Sequence, residues 1–185
     1  MDEILVREYL MGRNEAMDML IDMYKKPLYK FCFHLTKNNF DADDLFQETW
    51  IKVIKNIRRY NSGNFKGFLY KICINALRDQ CRKNKRQKSK VSYLDDQSYT
   101  DRLEAAGAAN CENIITGMER YNSMVMKLNA MKDHYRIPVI LFYFEGMRYS
   151  MIAEVLDMSI GTVKSRIDKC RSKLREIPEV SYSVI

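Results

Sequence analysis

The stretch Asp41 to Arg58, DADDLFQETWIKVIKNIR, constrains this chain more than any other, because each level of its pattern specifies one helix. Asp41 suits an N-cap, Asp44 stands where the acid of a capping box would, and Phe40 with Leu45 can form a hydrophobic staple. Acids crowd the first turn and Lys52, Lys55 and Arg58 the last, matching the helix dipole at both ends. At helical periodicity Ala42, Phe46, Thr49, Trp50, Val53 and Ile57 share one face, the predicted core side. The opposite face carries Asp44, Gln47, Glu48, Ile51, Ile54, Lys55 and Arg58. Two isoleucines inside a charged stripe leave two readings open. They are scattered exposed apolars on a solvated face, or part of a docking surface for a large protein partner.

Such a helix needs neighbours, and 185 residues provide for one or two domains with modest cores. A hydrophobic fraction of 46% excludes global disorder. The net charge of +7 favours an anionic partner without naming it. Its distribution says more. Arg82 to Lys90 holds six basic residues in nine, and Lys164 to Arg175 holds six against the single acid Asp168. Between them, Val91 to Glu119 carries six acids and one arginine. Two basic poles joined by an acidic tether is the resulting layout.

Cys32, Cys73, Cys81, Cys111 and Cys170 show no CxxC or Cys/His ligand spacing, and His34 and His134 stand alone. No metal and no cofactor are expected, and the cysteines read as reduced, mostly buried small hydrophobes. Met1-Asp2-Glu3 lacks the basic-then-apolar pattern of a signal peptide. The longest apolar run, Ile137 to Phe144, is too short to span a membrane. The expectation is a cytoplasmic protein with no direct membrane insertion.

In chain order, Ile4 to Met23 shows helical spacing broken near Gly12. Tyr24 to Leu35 follows, with Pro27 in its first turn. Arg59 to Asn64 is a breaker rich in Asn, Ser and Gly. Phe65 to Arg82 is the next helix, with Phe65, Phe68, Leu69, Ile72, Cys73 and Ala76 inward. Its other side aligns Lys71, Asn75, Arg78 and Arg82, either an ordinary basic solvated face or a set for meeting phosphates and base edges. Residues 89–117 read as a flexible linker with a helical fragment near Arg102 to Ala109. No Gly-rich phosphate loop, Ser/His/Asp set or paired carboxylates declare themselves, so no catalytic residues are assigned.

Met118 to Met131 and Tyr135 to Phe144 are the next predicted helices, the latter apolar all round, central, and ended by Gly146. Ser150 can cap Met151 to Leu156, and Asp157-Met158-Ser159 forms a turn. Ser159 can cap a last helix, Ile160 to Glu176. Two helices joined so tightly make a helix-turn-helix. Val163, Ile167, Cys170 and Leu174 form its buried stripe; hydroxyls and cations on the other side suit a major-groove reader. A basic amphipathic helix lying on a membrane or partner is the competing reading.

At this point a resemblance enters. DADDLFQETWIKVIKNIRRY, FKGFLYKICINALRDQCRKNKR and YKKPLYKFC resemble region 2 of the bacterial sigma-70 family. FYFEGMRYSMIAEVLDMSIGTVKSRIDKCRSKLRE resembles its region 4, and the short two-region layout resembles the extracytoplasmic function (ECF) group. The resemblance implies an all-α chain of two small helical domains. Residues 1–88 would be the region 2 bundle, 89–117 the linker, 118–178 the region 4 helix-turn-helix and 179–185 a tail. It further implies a sigma factor that binds core RNA polymerase, recognises the −10 and −35 promoter elements and helps melt DNA, without enzymatic activity. Asp44, Gln47, Glu48 and Ile51 would dock on the clamp helices of the largest polymerase subunit, while region 4 would meet the flap of the second. Tyr60, Asn61 and Asn64 would help capture a flipped base, and Lys71, Asn75, Arg78 and Arg82 would hold the −10 element. Thr162, Lys164, Ser165, Arg166 and Lys169 would contact the −35 element. An anti-sigma factor is a further implied partner. Read from residues alone, a helix-turn-helix regulator binding operators by itself is the alternative.

Four positions depart from the family's pattern: Gly67, Met151, Asp157 in the turn and Asp168 on the DNA-facing side. Asp tolerates the left-handed conformation the turn needs, so the turn should survive. Gly67 should loosen its helix by about 1 kcal/mol relative to Ala. An acid at 168 repels phosphate unless it accepts from a cytosine amino group.

Overall fold

The computed structural model describes residues 1–60, 63–91 and 126–175, and every regular element among them is helical. In order these are α1 (Asp2–Leu10), α2 (Glu15–Thr36), α3 (Asn39–Asn56), a 3-10 turn (Ile57–Arg59), α4 (Phe65–Val91), a helical stretch at 126–130, α5 (Asp133–Tyr143), α6 (Tyr149–Leu156) and α7 (Ile160–Arg175). α1 packs on α2, α2 on α3 and α3 on α4; α5, α6 and α7 pack on one another, and α6 also lies against α4.

The helix that dominates the sequence starts earlier than expected. Asn38, not Asp41, is the N-cap: its backbone is extended and its side-chain oxygen accepts from the Asp41 N–H at 2.8 Å. The Asn38 amide also donates to the Asp41 carboxylate at 2.6 Å, a side-chain bond that holds the cap in place. Phe40 thereby falls inside the first turn and is 76% exposed, so it makes no staple with buried Leu45. Asn caps as well as Asp does, so the expectation of Asp41 as the cap is corrected to Asn38. The expected core side holds: Ala42, Thr49, Trp50, Val53 and Ile57 are buried and Phe46 is partly so. Thr49 tolerates burial because its hydroxyl donates to the Leu45 carbonyl at 2.6 Å.

Two other boundaries moved. α2 runs continuously through Pro27, because Leu20 before it and Leu28, Phe31 and Leu35 after it bury into one core. Core burial there outweighs the lost helical hydrogen bond, a cost of about 3 kcal/mol. α6 begins at Tyr149 with Arg148 as N-cap and no side-chain cap bond, so Ser150 is not its cap. Gly12, at φ +97, does make the break after α1. α4 continues to Val91; the helical fragment expected at Arg102 to Ala109 and the tail lie outside the described residues.

In the first half the core is cemented by Phe31 against Tyr70, ring centroids 4.7 Å apart, and by the Cys32 and Cys73 sulfurs at 3.7 Å. Cys32, Cys73 and Cys170 are buried, and Cys81 is exposed. In the second half α5 is the central element, with Ile137, Val139, Ile140 and Leu141 buried. Val163, Ile167 and Cys170 of α7 close over it, as their spacing required. The turn between α6 and α7 places Asp157 at φ +54, the left-handed conformation that Asp can adopt. Ser159 caps α7, its hydroxyl accepting from the Thr162 N–H at 3.1 Å.

Candidate nucleic-acid interface

α7 presents the more open of two cationic surfaces. Gly161, Lys164, Ser165, Asp168, Lys169 and Ser172 line one shallow trough along its outer side. Lys164, Ser165 and Lys169 are exposed there. Thr162 is partly buried and shares a hydrogen bond with Ser159 Oγ at 2.8 Å, so its hydroxyl serves the cap. Arg166 turns back toward its own domain, where its guanidinium reaches the His134 carbonyl at 3.4 Å. Asp168 faces the trough with Arg171 3.9 Å away, which offsets part of the repulsion an acid would exert on phosphate. The structure therefore gathers Lys164, Ser165 and Lys169 into one outward set and holds Thr162 and Arg166 in supporting bonds.

The second surface lies on α4. Asn75 and Arg78 are exposed and 3.3 Å apart, and Arg82 is exposed with Asp79 at 3.7 Å. Lys71, the fourth member of the expected row, is not free: it pairs with Asp157 of the helix-turn-helix at 2.5 Å. Asn64 caps α4, its side-chain oxygen accepting from the Gly67 N–H at 3.0 Å. The Gly67 departure now has a reason. A Cβ there would lie 2.6 Å from the Asn64 side-chain nitrogen, closer than atoms approach. Tyr60 is partly buried and packs against Phe65 and Phe68, centroids 5.8 and 5.3 Å away. Asn61 lies outside the described residues.

α3 supplies a third surface with little net charge. Asp44, Gln47 and Ile51 are exposed, Ile51 by 52% and neighbouring Ile54 by 41%. Glu48 differs. It is partly buried, accepts from Gln80 of α4 at 2.8 Å and pairs with Lys52 at 3.0 Å. Lys52 also holds Asp79 at 3.0 Å. Burial alone would lower the Lys52 pKa, but its bonds to Asp79 and Glu48 outweigh that and raise it. Glu48 thus ties α3 to α4 and leaves Asp44, Gln47 and the isoleucines facing out. Sequence reasoning missed this bridge because nothing in the spacing of either helix says which face of α4 meets it.

Among the described residues no group of three or more His, Cys, Asp or Glu side chains could hold a metal ion. None of their helices is long and apolar enough to cross a membrane.

With these surfaces in place, comparison with known families is decisive. Residues 20–87 match the Sigma-70 region 2 model, and residues 121–174 match the Sigma-70, region 4 model. The chain belongs to the sigma-70 family. The ECF RNA polymerase sigma factor SigW of Bacillus subtilis is 27% identical over 92% of this chain and 93% of that protein. The ECF sigma factor SigE of Mycolicibacterium smegmatis is 31% identical over 86% of this chain and 60% of its own length. These relatives place this sigma factor in the ECF group. The fold agrees with that of CnrH in complex with the cytosolic domain of CnrY, with a TM-score of 0.68, 20% identity and 95% of each chain covered. It also agrees with RpoE in complex with the anti-sigma factor NepR from Bartonella quintana, with a TM-score of 0.66 and 23% identity over 86% of this chain and 94% of that one.

Proposed function

We propose that this ECF sigma factor docks on core RNA polymerase through α3, reads the −35 element with α7 and holds the −10 element with α4. The observation that carries the reading is two separate cationic helices, α4 and α7, together with an outward face of α3 of mixed apolar and polar character. An operator-binding regulator needs one reader per subunit and a symmetric partner; two different readers in one chain fit one asymmetric promoter. Residues 1–88 act as the core- and −10-binding unit and 118–178 as the −35-binding unit, with 89–117 as the linker.

On α7, Lys164 and Lys169 supply charge for phosphates or for guanine acceptor atoms, and Ser165 bonds either a base or the backbone. On α4, Asn75 can bond a base edge while Arg78 and Arg82 neutralise phosphates. Tyr60 and Asn64, where α4 begins, would meet the first unstacked base. The chain supplies binding energy rather than a reaction: contacts to the separated strand offset the few kcal/mol that unstacking a base costs. Asp44, Gln47 and Ile51 meet the clamp helices of the largest polymerase subunit, and the helix-turn-helix meets the flap of the second. The site of action is the cytoplasm. An anti-sigma factor is the expected antagonist, as for the RpoE–NepR complex.

The test is direct binding of purified core polymerase. Gln47→Ala with Ile51→Ala should weaken association at least tenfold and leave the melting temperature unchanged, since exposed positions rarely shift stability by more than about 0.5 kcal/mol. Undiminished association would remove α3 as the docking helix.

A further inference from the structure

The exposed face of α3 is longer than the set assigned to polymerase, and its pattern is that of a self-complementary surface. Phe40, Asp44, Gln47, Ile51 and Ile54 recur at spacings of four, three, four and three, the repeat that keeps one stripe facing a second helix. Phe40 is 76% exposed, Ile51 52% and Ile54 41%, so three large apolar side chains stand in water along one line. Charge is divided between the two ends. Asp43 and Asp44 lie near the start of the stripe, Lys55 and Arg58 near its finish, and all four are exposed. Among the described residues none of the four forms an ion pair within the chain.

The knob at one end of the stripe has a hole at the other. Tyr9 and Leu10 of α1 and Ile54, Lys55 and Arg58 line a recess of about 300 Å³ beside the end of α3. Phe40, at the opposite end, is the side chain left standing in solvent.

A helix with acids at one end and bases at the other complements a copy of itself only when the two run antiparallel, because a parallel pair sets like charges together. A two-fold axis midway between Gln47 and Ile51 fixes the register. Ile51 of each copy then packs on Gln47 of the other, Asp43 comes level with Lys55, and Asp44 lies within a turn of Arg58. Phe40 arrives level with Arg58, at the mouth of the recess. One operation thus satisfies the apolar stripe, the charges and the cavity, each contact occurring twice as an isologous interface requires.

We propose that the free chain self-associates as an antiparallel two-fold dimer through α3, with Phe40 of each copy seated in the recess between α1 and α3 of the other. An aromatic side chain filling a pocket is the usual anchor of such contacts. One helix pair is smaller than the roughly 1,200 Å² at which stable interfaces begin, so the dimer is weak, with a dissociation constant on the order of 10 μM. On the reading that α3 docks on polymerase, one face cannot serve both, and the dimer and the polymerase complex exclude each other.

Sedimentation equilibrium of the full chain, in reductant so that exposed Cys81 cannot cross-link copies, should show the average mass rising from monomer toward dimer between roughly 1 and 100 μM. Phe40→Glu should weaken dimerisation at least tenfold. It sets an acid in the first turn of α3, where the helix dipole favours it, so loss of helix is not the cause. Charge reversal is the sharper test. Asp43→Lys with Asp44→Lys makes the facing positions all basic, and Lys55→Glu with Arg58→Glu makes them all acidic. Each chain alone should stay monomeric, and an equimolar mixture of the two should recover the dimer. If circular dichroism shows that either has lost helix, Phe40→Glu decides alone. A wild-type chain that stays monomeric to the top of the range overturns the proposal and leaves α3 to polymerase. A dimer unmoved by Phe40→Glu, or folded charge-reversed chains that do not rescue each other, overturns it equally. None of these measurements contains polymerase, so the docking reading stands or falls separately.

Discussion

Replacing Tyr70 by Phe removes one oxygen atom from the interior and should reveal the state of Glu145. The Tyr70 ring is fully buried against Phe31, so Tyr70→Phe keeps the packing and deletes only the hydroxyl donated to Glu145. Burial already pushes the Glu145 pKa above the ordinary carboxylate range, against the lowering effects of the Tyr70 bond, Lys66 and Lys30. A hydrogen bond to a charged group contributes about 2 kcal/mol, and after its loss the carboxylate keeps Lys66 at 3.9 Å and the more distant charge of Lys30. The expected loss is therefore about 2 kcal/mol at pH 8, or about 4–8 °C in melting temperature for a chain of this size.

The sign with pH follows from linkage. A carboxyl whose folded pKa is raised contributes stability in its protonated form and loses it as pH rises from the ordinary value through the folded one. Deleting the donor raises the folded pKa further and moves that loss to higher pH. The gap between wild type and Tyr70→Phe should therefore be wide at pH 8 and narrow toward pH 5. Titration of other groups is common to both proteins and cancels in the difference. Urea melts followed by circular dichroism at the two pH values measure it. A gap independent of pH would refute the reasoning, because it would mean that the hydroxyl stabilises something other than the Glu145 charge.

The remaining predictions concern single elements. Asn38→Ala should cost about 1 kcal/mol by uncapping α3, whereas Asp41→Asn, which keeps a hydrogen-bonding side chain, should cost less; equal losses would restore Asp41 as the cap. Gly67→Ala should bring no net stabilisation in thermal melts, since the propensity gain of about 1 kcal/mol is offset by displacing the Asn64 cap; a clear rise in melting temperature would show that the cap yields freely. Burial, then Lys30 and Arg136, depress the His34 pKa, so its stabilising contribution is present above the ordinary histidine value and lost as pH falls through the folded one; His34→Asn should flatten that loss in melts from pH 7 downward. Lys169→Ala should change the preferred −35 sequence in a binding selection, and a uniform loss on all sequences would reduce Lys169 to a phosphate contact.

Much of the fold could be read from periodicity, because most helices have a clear apolar side. α7 is the clearest case: of the expected stripe Val163, Ile167 and Cys170 are fully buried and Leu174 partly so, and Ser159 predicted the cap. Caps were less legible wherever two good capping residues stood close together, as with Asn38 and Asp41. Pro27 misled because local propensity marks a helix start, while the burial that carries α2 through it is tertiary. The contacts between halves were invisible for a different reason. Arg136 and Glu145 flank an apolar run, and nothing local says that their partners lie on α2 and α4. Lys71 shows the same limit from the other side, being read as one of a free basic row and found paired with Asp157.

The central claim is that this chain directs polymerase to promoters, and run-off transcription tests it most directly. Purified core polymerase, with and without the chain, is supplied with genomic fragments from the source organism, and transcripts are mapped at their 5′ ends. The account predicts discrete starts that appear only with the chain and weaken when Gln47 and Ile51 are replaced by Ala. Transcripts that are the same with and without it would contradict the account.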